Sequence, residues 1–251
     1  MRKFFTLFLG VMFFAGAIAQ DERPEGTIMH TGENIPVIDG VLDENGAWDS
    51  AIVYNIDKAL YGEAYTFGEP DETTWRALWN DDGMYIFLKT VDDAWYPSYA
   101  TGGNSWEYDK PEIYFDVNYV LLDAGGPSAS GTGHYQVAPA AEEAKIDGTP
   151  TTQDDGVVYA FLVDGTNWDV EYFVPWTLLK TSEDGLFDKT APMGFDVTMI
   201  DRDPDDAGRR RAVWANIGGQ NESWSNMDDV GYIYLDGAEP PVYVEDIILT
   251  L

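Results

Sequence analysis

The sequence predicts an all-β protein, an antiparallel β-sandwich of the immunoglobulin or jelly-roll kind. Short segments that alternate apolar and polar residues recur along the chain, as in 111–118, where Ile113, Phe115 and Val117 share one face. Clusters of Gly, Asp, Asn and Pro separate these segments, and helical periodicity is scarce. Many short strands joined by turns are typical of two packed antiparallel sheets.

The expected elements follow from these patterns in chain order. Residues 36–51 contain an Asp-Gly turn and a short helical turn around Trp48. Two hairpins are indicated, one closed by Asn-Asp-Asp-Gly and one by Asp-Gly-Thr-Asn. The segments that carry the predicted strands are 73–93, 111–118, 134–140, 156–176, 193–201, 210–216 and 230–235, and the tail 240–251 offers a final one.

The N-terminal 19 residues have the features of a secretory signal peptide. Arg2 and Lys3 precede an apolar run over 4–15, and Ala17-Ile18-Ala19 forms a small-residue cleavage site. That run is short for a membrane span, and no later segment reaches the necessary length. We therefore expect export to the periplasm, the cell surface or the medium, a polar lead-in over 20–35, and a single domain over 36–251.

Charge and residue usage exclude several classes of function. The net charge is −31, and removal of Arg2 and Lys3 with the signal peptide makes it −33. Such a surface repels nucleic acid and anionic membranes and suits neutral or cationic ligands. The chain has no cysteine and only two histidines, so disulfides, cysteine-based zinc sites and multi-histidine metal chemistry are excluded.

Tryptophan is the most informative residue type, with nine in the chain. Four lie in apolar segments and are expected in the core: Trp48, Trp79, Trp176 and Trp214. Trp106 and Trp224 lie instead among Gly, Asn, Ser and acidic residues, which predicts exposure. Flat aromatic rings suit the apolar faces of sugars, while carboxylates and amides bind hydroxyl groups, so these loops indicate a saccharide site.

Catalysis and metal binding have weaker signals. Glu112 and Asp116 share one strand face but would lie about 13 Å apart, too far for a glycosidase pair. The segment 201–206 places Asp201, Asp203 and Asp205 at alternate positions, like the start of a calcium loop, although it lacks the loop's Gly and its final Glu. These three aspartates are candidate ligands for a structural Ca²⁺.

The chain from about 36 to 235 resembles carbohydrate-binding modules of family 9. The resemblance rests on an ordered series of segments, none specific alone: "IDGVLDENGAW", "ALWNDDGMYIFLKTVDD", "WEYDKPEIYFDVN", "VEYFVPWTLL", "MGFDVTMIDRD" with "RRRAVWAN", and "NESWSNMDDVGYIYL".

That resemblance implies a sugar ring held between two tryptophans, at the positions of Trp106 and Trp224. The family's hydroxyl-binding glutamate matches Glu112, and its asparagine matches Asn221. An arginine and an asparagine on the next strand are replaced here by Gln136, which keeps a hydrogen-bonding amide, and Ala138, which does not. The resemblance also implies structural calcium.

We therefore expect an exported, non-catalytic module that binds an oligo- or polysaccharide beside glycoside hydrolases and supports polysaccharide breakdown. Three alternatives remain at this point: an enzyme with a carboxylate pair, a haem or redox relative with axial ligands from His134, Met193 or Met199, and a structural surface protein that has lost the site.

Overall fold

The computed structural model describes residues 23–42, 46–97, 104–117, 125–127, 133–140, 145–147, 156–180, 188–205, 208–216 and 222–239. The predicted signal peptide, the predicted strand in 240–251 and Asn221 lie outside these ranges. Within them the protein has no α-helix, and its thirteen strands are β1 (Glu25–His30), β2 (Val53–Asn55), β3 (Lys58–Ala59), β4 (Thr74–Trp79), β5 (Gly83–Thr90), β6 (Lys110–Asp116), β7 (His134–Ala140), β8 (Lys145–Asp147), β9 (Val158–Asp164), β10 (Asn167–Pro175), β11 (Met193–Asp201), β12 (Arg210–Val213) and β13 (Gly231–Leu235).

The strands form two sheets that share β1. In the first sheet the order is β8-β7-β6-β11-β13-β1, with β12 beside β11 and β3 beside β12. In the second the order is β1-β4-β5-β10-β9, with β2 beside β4. Residues 25–28 of β1 pair in parallel with β13, and residues 29–30 pair in parallel with β4, so β1 crosses from one sheet to the other. The remaining described pairings are antiparallel, and the predicted β-sandwich is confirmed.

The core lies between the sheets and is rich in aromatic rings. Trp75 of β4 is fully buried, with ring centroids 4.9 Å from Phe195 of β11 and 4.9 Å from Trp214. Edge-to-face and offset arrangements of this kind add to the free energy gained from burial alone. The four tryptophans expected in the core are all buried, as the sequence predicted.

The polar lead-in differs from its prediction. Residues 25–30, which the sequence placed in a polar lead-in before the domain, form β1 at the junction of both sheets. Its ladder partner β13 lies about two hundred residues further along the chain. A pairing this distant leaves no signal in the local sequence. For this reason the strand was not recognised within the polar segment 20–35.

The outer face of β6 is covered. Glu112, Tyr114 and Asp116 alternate with core residues along the strand, and all three are buried. The segment that leads into β13 covers this face, because Met227 and Val230 pack against Tyr114. A polar strand face beneath a covering loop forms the floor of a pocket.

Candidate functional site

A pocket of ≈ 380 Å³ opens on the outer face of the first sheet. Its lining combines two tryptophans with charged and amide side chains: Trp106, Lys110, Glu112, Gln136, Arg209, Glu222 and Trp224. The structure thus brings together four of the five binding residues named from sequence, and the fifth, Asn221, lies outside the described residues.

Trp106 stands at one side of the pocket on a single 3-10 turn, Ser105–Glu107. The carbonyl of Asn104 accepts the Glu107 N–H at 3.0 Å and closes this turn. Beneath it, Lys110 Nζ donates to Ser105 Oγ at 3.2 Å. The indole is 46% exposed, unlike the core tryptophans, so its ring is available to a ligand.

Trp224 stands at another side of the pocket on a turn that begins at Glu222. The Glu222 carbonyl accepts the N–H groups of Ser225 at 2.9 Å and Asn226 at 3.0 Å. Met227 N–H then donates to the Gly125 carbonyl at 2.8 Å. The turn is therefore fixed by backbone hydrogen bonds both within itself and to a neighbouring loop.

Asp196 of β11 anchors the same turn from below. Its Oδ2 accepts the Ser223 hydroxyl at 2.7 Å, and its Oδ1 accepts the N–H groups of Val197 and Ala215, each at 2.9 Å. Burial raises the pKa of Asp196 to about 6, while these donors favour the ionised form and limit the rise.

The floor of the pocket is a hydrogen-bonded chain across two strands. Tyr114 donates its phenolic proton to Glu112 Oε2 at 2.6 Å, and Gln136 Nε2 donates to the Tyr114 oxygen at 3.1 Å. Tyr114 and Gln136 are paired residues on the neighbouring strands β6 and β7, so this series of hydrogen bonds follows from the strand pairing. Burial, then the adjacent Glu112 charge, raises the pKa of Tyr114 well above its usual value, which keeps the phenol a donor.

Three lining residues were not predicted: Lys110, Arg209 and Glu222. Lys110 lies two positions before Glu112 on β6, so the period of the strand is the signal that would have found it. Arg209 and Glu222 lie in connections between strands. Their proximity depends on the fold, and nothing in the local sequence marks it.

A second polar cluster lies apart from this pocket lining. Asp92, Asp109 and Asp201 are buried, and one carboxylate oxygen of each lies within 4.8 Å of the others. Of the three aspartates predicted as calcium ligands, only Asp201 belongs to this cluster. Asp203 and Asp205 do not join it, because the chain turns outward after β11 and leaves Asp205 exposed.

The cluster is costly to ionise. Burial raises the pKa of Asp92 to about 7 and that of Asp109 to about 8. N–H groups that donate to each carboxylate lower its pKa and so limit this rise. Those donors include Trp168 Nε1 to Asp92 at 3.0 Å and the Arg202 N–H to Asp109 at 2.7 Å. Carboxylate oxygens are the ligands that Ca²⁺ prefers, and a cation would offset the cost of their burial.

The proposed axial ligands of a haem do not meet. Met193 and Met199 lie in the core between the sheets. His134 lies on the other face of the first sheet, where its Nδ1 is 4.0 Å from Asp116 Oδ2. The haem alternative is therefore left without support from these residues.

Comparison with known proteins decides the family. Residues 38–238 match the model of the family described as "Carbohydrate family 9 binding domain-like". The chain belongs to this family. Because the family comprises non-catalytic carbohydrate-binding domains, this family 9 domain is a binding module rather than an enzyme.

Solved structures of other proteins share this fold. A family 9 carbohydrate-binding module from Caldicellulosiruptor kristjanssonii, in complex with cellotriose, is 15% identical with a TM-score of 0.64, over 87% of this chain and 99% of that one. Its complex with glucose gives 15% identity and a TM-score of 0.65, over 88% and 100%. A putative carbohydrate-binding protein from Bacteroides uniformis ATCC 8492 is 10% identical with a TM-score of 0.55, over 84% and 99%.

A search of curated protein sequences with this chain finds no match. In the parts of the chain that the structure describes, no helix has both the length and the apolar character required to cross a membrane.

Proposed function

We propose that this family 9 domain is an exported module that binds a neutral saccharide by stacking one sugar ring between Trp106 and Trp224. The observation that carries the proposal is their joint presence in the lining of one pocket above a polar floor. Two structural neighbours are complexes with cellotriose and glucose, both neutral sugars. Glu112 and Gln136 would bind hydroxyl groups from the floor, and Asn221 would do so from the approach to Trp224.

The charges of the pocket also favour a neutral ligand. Two cations, Lys110 and Arg209, face two anions, Glu112 and Glu222, so the lining has no formal net charge. The surrounding molecule has a net charge of −31 and disfavours an acidic ligand at long range.

The experiment is calorimetric titration of the protein with cellotriose and glucose. Wild type is expected to bind, and Trp106→Ala and Trp224→Ala are each expected to weaken binding at least tenfold, or about 1.4 kcal/mol. Both variants should keep the unfolding temperature of wild type to within a few degrees. Unchanged affinity in both variants would refute the stacking arrangement.

A reducing-sugar assay distinguishes this binding function from hydrolysis by an enzyme with a catalytic carboxylate pair. Glu222 is bound by two arginines, Arg209 and Arg211, and Glu112 accepts a hydrogen bond from the Tyr114 hydroxyl. Neither arrangement resembles a general acid poised for proton transfer. Turnover that Glu112→Gln abolishes would contradict a purely binding role.

We further propose that Asp92, Asp109 and Asp201 hold a structural Ca²⁺. A bound cation would supply the positive charge that three buried carboxylates require, and would tie the chain at Asp92 and at Asp109 to the end of β11. Thermal unfolding in CaCl₂ against chelator tests this directly. Calcium should raise the unfolding temperature of wild type and of Asp205→Asn, but not that of Asp201→Asn.

Export and cellular role complete the proposal. N-terminal sequencing of the protein recovered from its host should begin near Gln20. The module would hold saccharide near glycoside hydrolases and so support polysaccharide breakdown. Copurification of such enzymes with the protein on immobilised polysaccharide tests that role, with Trp106→Ala as the matched control.

A further inference from the structure

Arg209 bridges the two segments that carry the pocket tryptophans. Its Nη1 donates to the backbone carbonyl of Trp106. Its Nη2 donates to Glu222 Oε1 at 3.2 Å, where Glu222 begins the turn that carries Trp224. One planar guanidinium thus holds both sides of the pocket at once.

Glu222 is itself fixed from a third direction. Its Oε1 also accepts from Arg211 Nη1, and Arg211 Nη2 donates to Glu63 Oε1 at 2.7 Å. The Arg211 backbone N–H donates to the other oxygen of Glu63 at 2.9 Å. Glu63 does not line the pocket, so this part of the network acts on the site only through other residues.

We propose that Arg209 is a positioning residue that sets the separation between Trp106 and Trp224, with Glu222, Arg211 and Glu63 holding it in place. Guanidinium is suited to this role because its fixed fork of donors makes two directed bonds, whereas an ammonium group on a flexible stem does not. This inference rests on the proposed function only for its effect on affinity. The geometric effect exists without any ligand.

The separation can be measured directly because the chain has no cysteine. Asn104 and Ser225 are exposed, flank the two tryptophans, and accept spin labels after substitution by cysteine. Pulsed electron–electron double resonance on the doubly labelled protein, without ligand, reports the distribution of distances between the two segments.

Arg209→Gln is expected to broaden this distribution and to shift it to longer distances. The matched control is Arg202→Gln, since Arg202 contacts the Trp106 side alone, with Nη1 donating to the Glu107 carbonyl at 3.5 Å. The control should leave the distribution unchanged. Arg209→Lys keeps the charge but not the two-armed geometry, and it replaces Arg209→Gln if that variant fails to fold.

Affinity for cellotriose gives the second readout. Arg209→Gln should lower it about tenfold, and Glu63→Gln should lower it about threefold despite lying outside the pocket. Loss of affinity with an unchanged distance distribution would make Arg209 a direct ligand contact and overturn the positioning role. An altered distribution in a protein whose wild type binds no saccharide would refute the proposed function while upholding the bridge.

Discussion

The hydroxyl of Tyr114 lies 2.6 Å from Oε2 of Glu112, two residues away on the same strand. This contact orients a buried carboxylate at the floor of the pocket. Gln136 completes the arrangement from the neighbouring strand by donating to the Tyr114 oxygen. The tyrosine therefore orients two proposed ligand-binding groups while being buried beneath them.

Tyr114→Phe should lower the affinity for cellotriose about tenfold, because Glu112 and Gln136 each lose the partner that orients them. We expect a loss of stability of about 1–2 kcal/mol, since both groups are buried. Titration calorimetry and urea unfolding measure the two effects.

Tyr135→Phe is the matched control for that variant. The Tyr135 hydroxyl is bonded to the backbone of Lys180, away from the pocket lining. It should lose similar stability and keep the affinity of wild type. Equal affinities in the two variants would contradict an orienting role for Tyr114.

Gly126 permits close approach between its loop and the turn that carries Trp224. A Cβ at this position would lie 2.6 Å from the Ser225 carbonyl carbon and 2.8 Å from the Trp224 carbonyl oxygen, so the backbone would have to move. Gly126→Ala should therefore displace Trp224 and weaken cellotriose binding about tenfold or more. Gly208→Ala, where a Cβ meets nothing within 4 Å, should bind as wild type does.

Glu171 holds residues of the N-terminal segment against the second sheet and does not line the pocket. Its carboxylate accepts the Asp39 N–H at 2.9 Å, the Gly40 N–H at 3.0 Å and Trp48 Nε1 at 3.0 Å. Glu171→Gln replaces one of the two accepting oxygens with an NH2 donor, so at least one of these N–H groups loses its acceptor, and it should cost about 2–4 kcal/mol in the free energy of unfolding. Asp169→Asn, whose carboxylate accepts the single Thr90 N–H, should cost less by denaturant unfolding.

Asp196 gives stability a defined dependence on pH. Its folded pKa of about 6 lies above the ordinary value of 3.8, so the folded state binds the proton more tightly than the unfolded state. The free energy of unfolding should therefore fall as pH rises from about 4 to about 6. Asp196→Asn removes this pH dependence. The free energy of unfolding of the variant, relative to that of wild type, should therefore rise by about 2–3 kcal/mol from about pH 4 to about pH 6. A difference between the two proteins that does not change with pH would contradict the raised pKa.

The strands and their pairing within hairpins could be predicted from the sequence because both are local. The hairpin of β4 and β5 follows from alternation around a Gly-containing turn, and β7 and β11 coincide with their predicted segments. Strands β2, β3 and β8 are only two or three residues long, too short for alternation to be recognised.

The site was predictable where composition marks it. Trp106 and Trp224 differ from the core tryptophans in their polar neighbours, whereas Glu112 was named only through the family resemblance. The Asp92, Asp109 and Asp201 cluster joins three separate segments, so spacing along 201–205 could not reveal it. Arg209 was not predicted for the same reason, because its partners Trp106 and Glu222 lie 103 and 13 residues away along the sequence.

The crossing of β1 between the sheets has a practical consequence for fragments of this protein. The family match begins at residue 38, after β1 has ended, so a fragment cut to the matched boundaries would expose the edge of β13 and that of β4 together. Unpaired strand edges invite association with other chains. The folded unit is therefore longer than the family match, and the part outside the match lies on its N-terminal side.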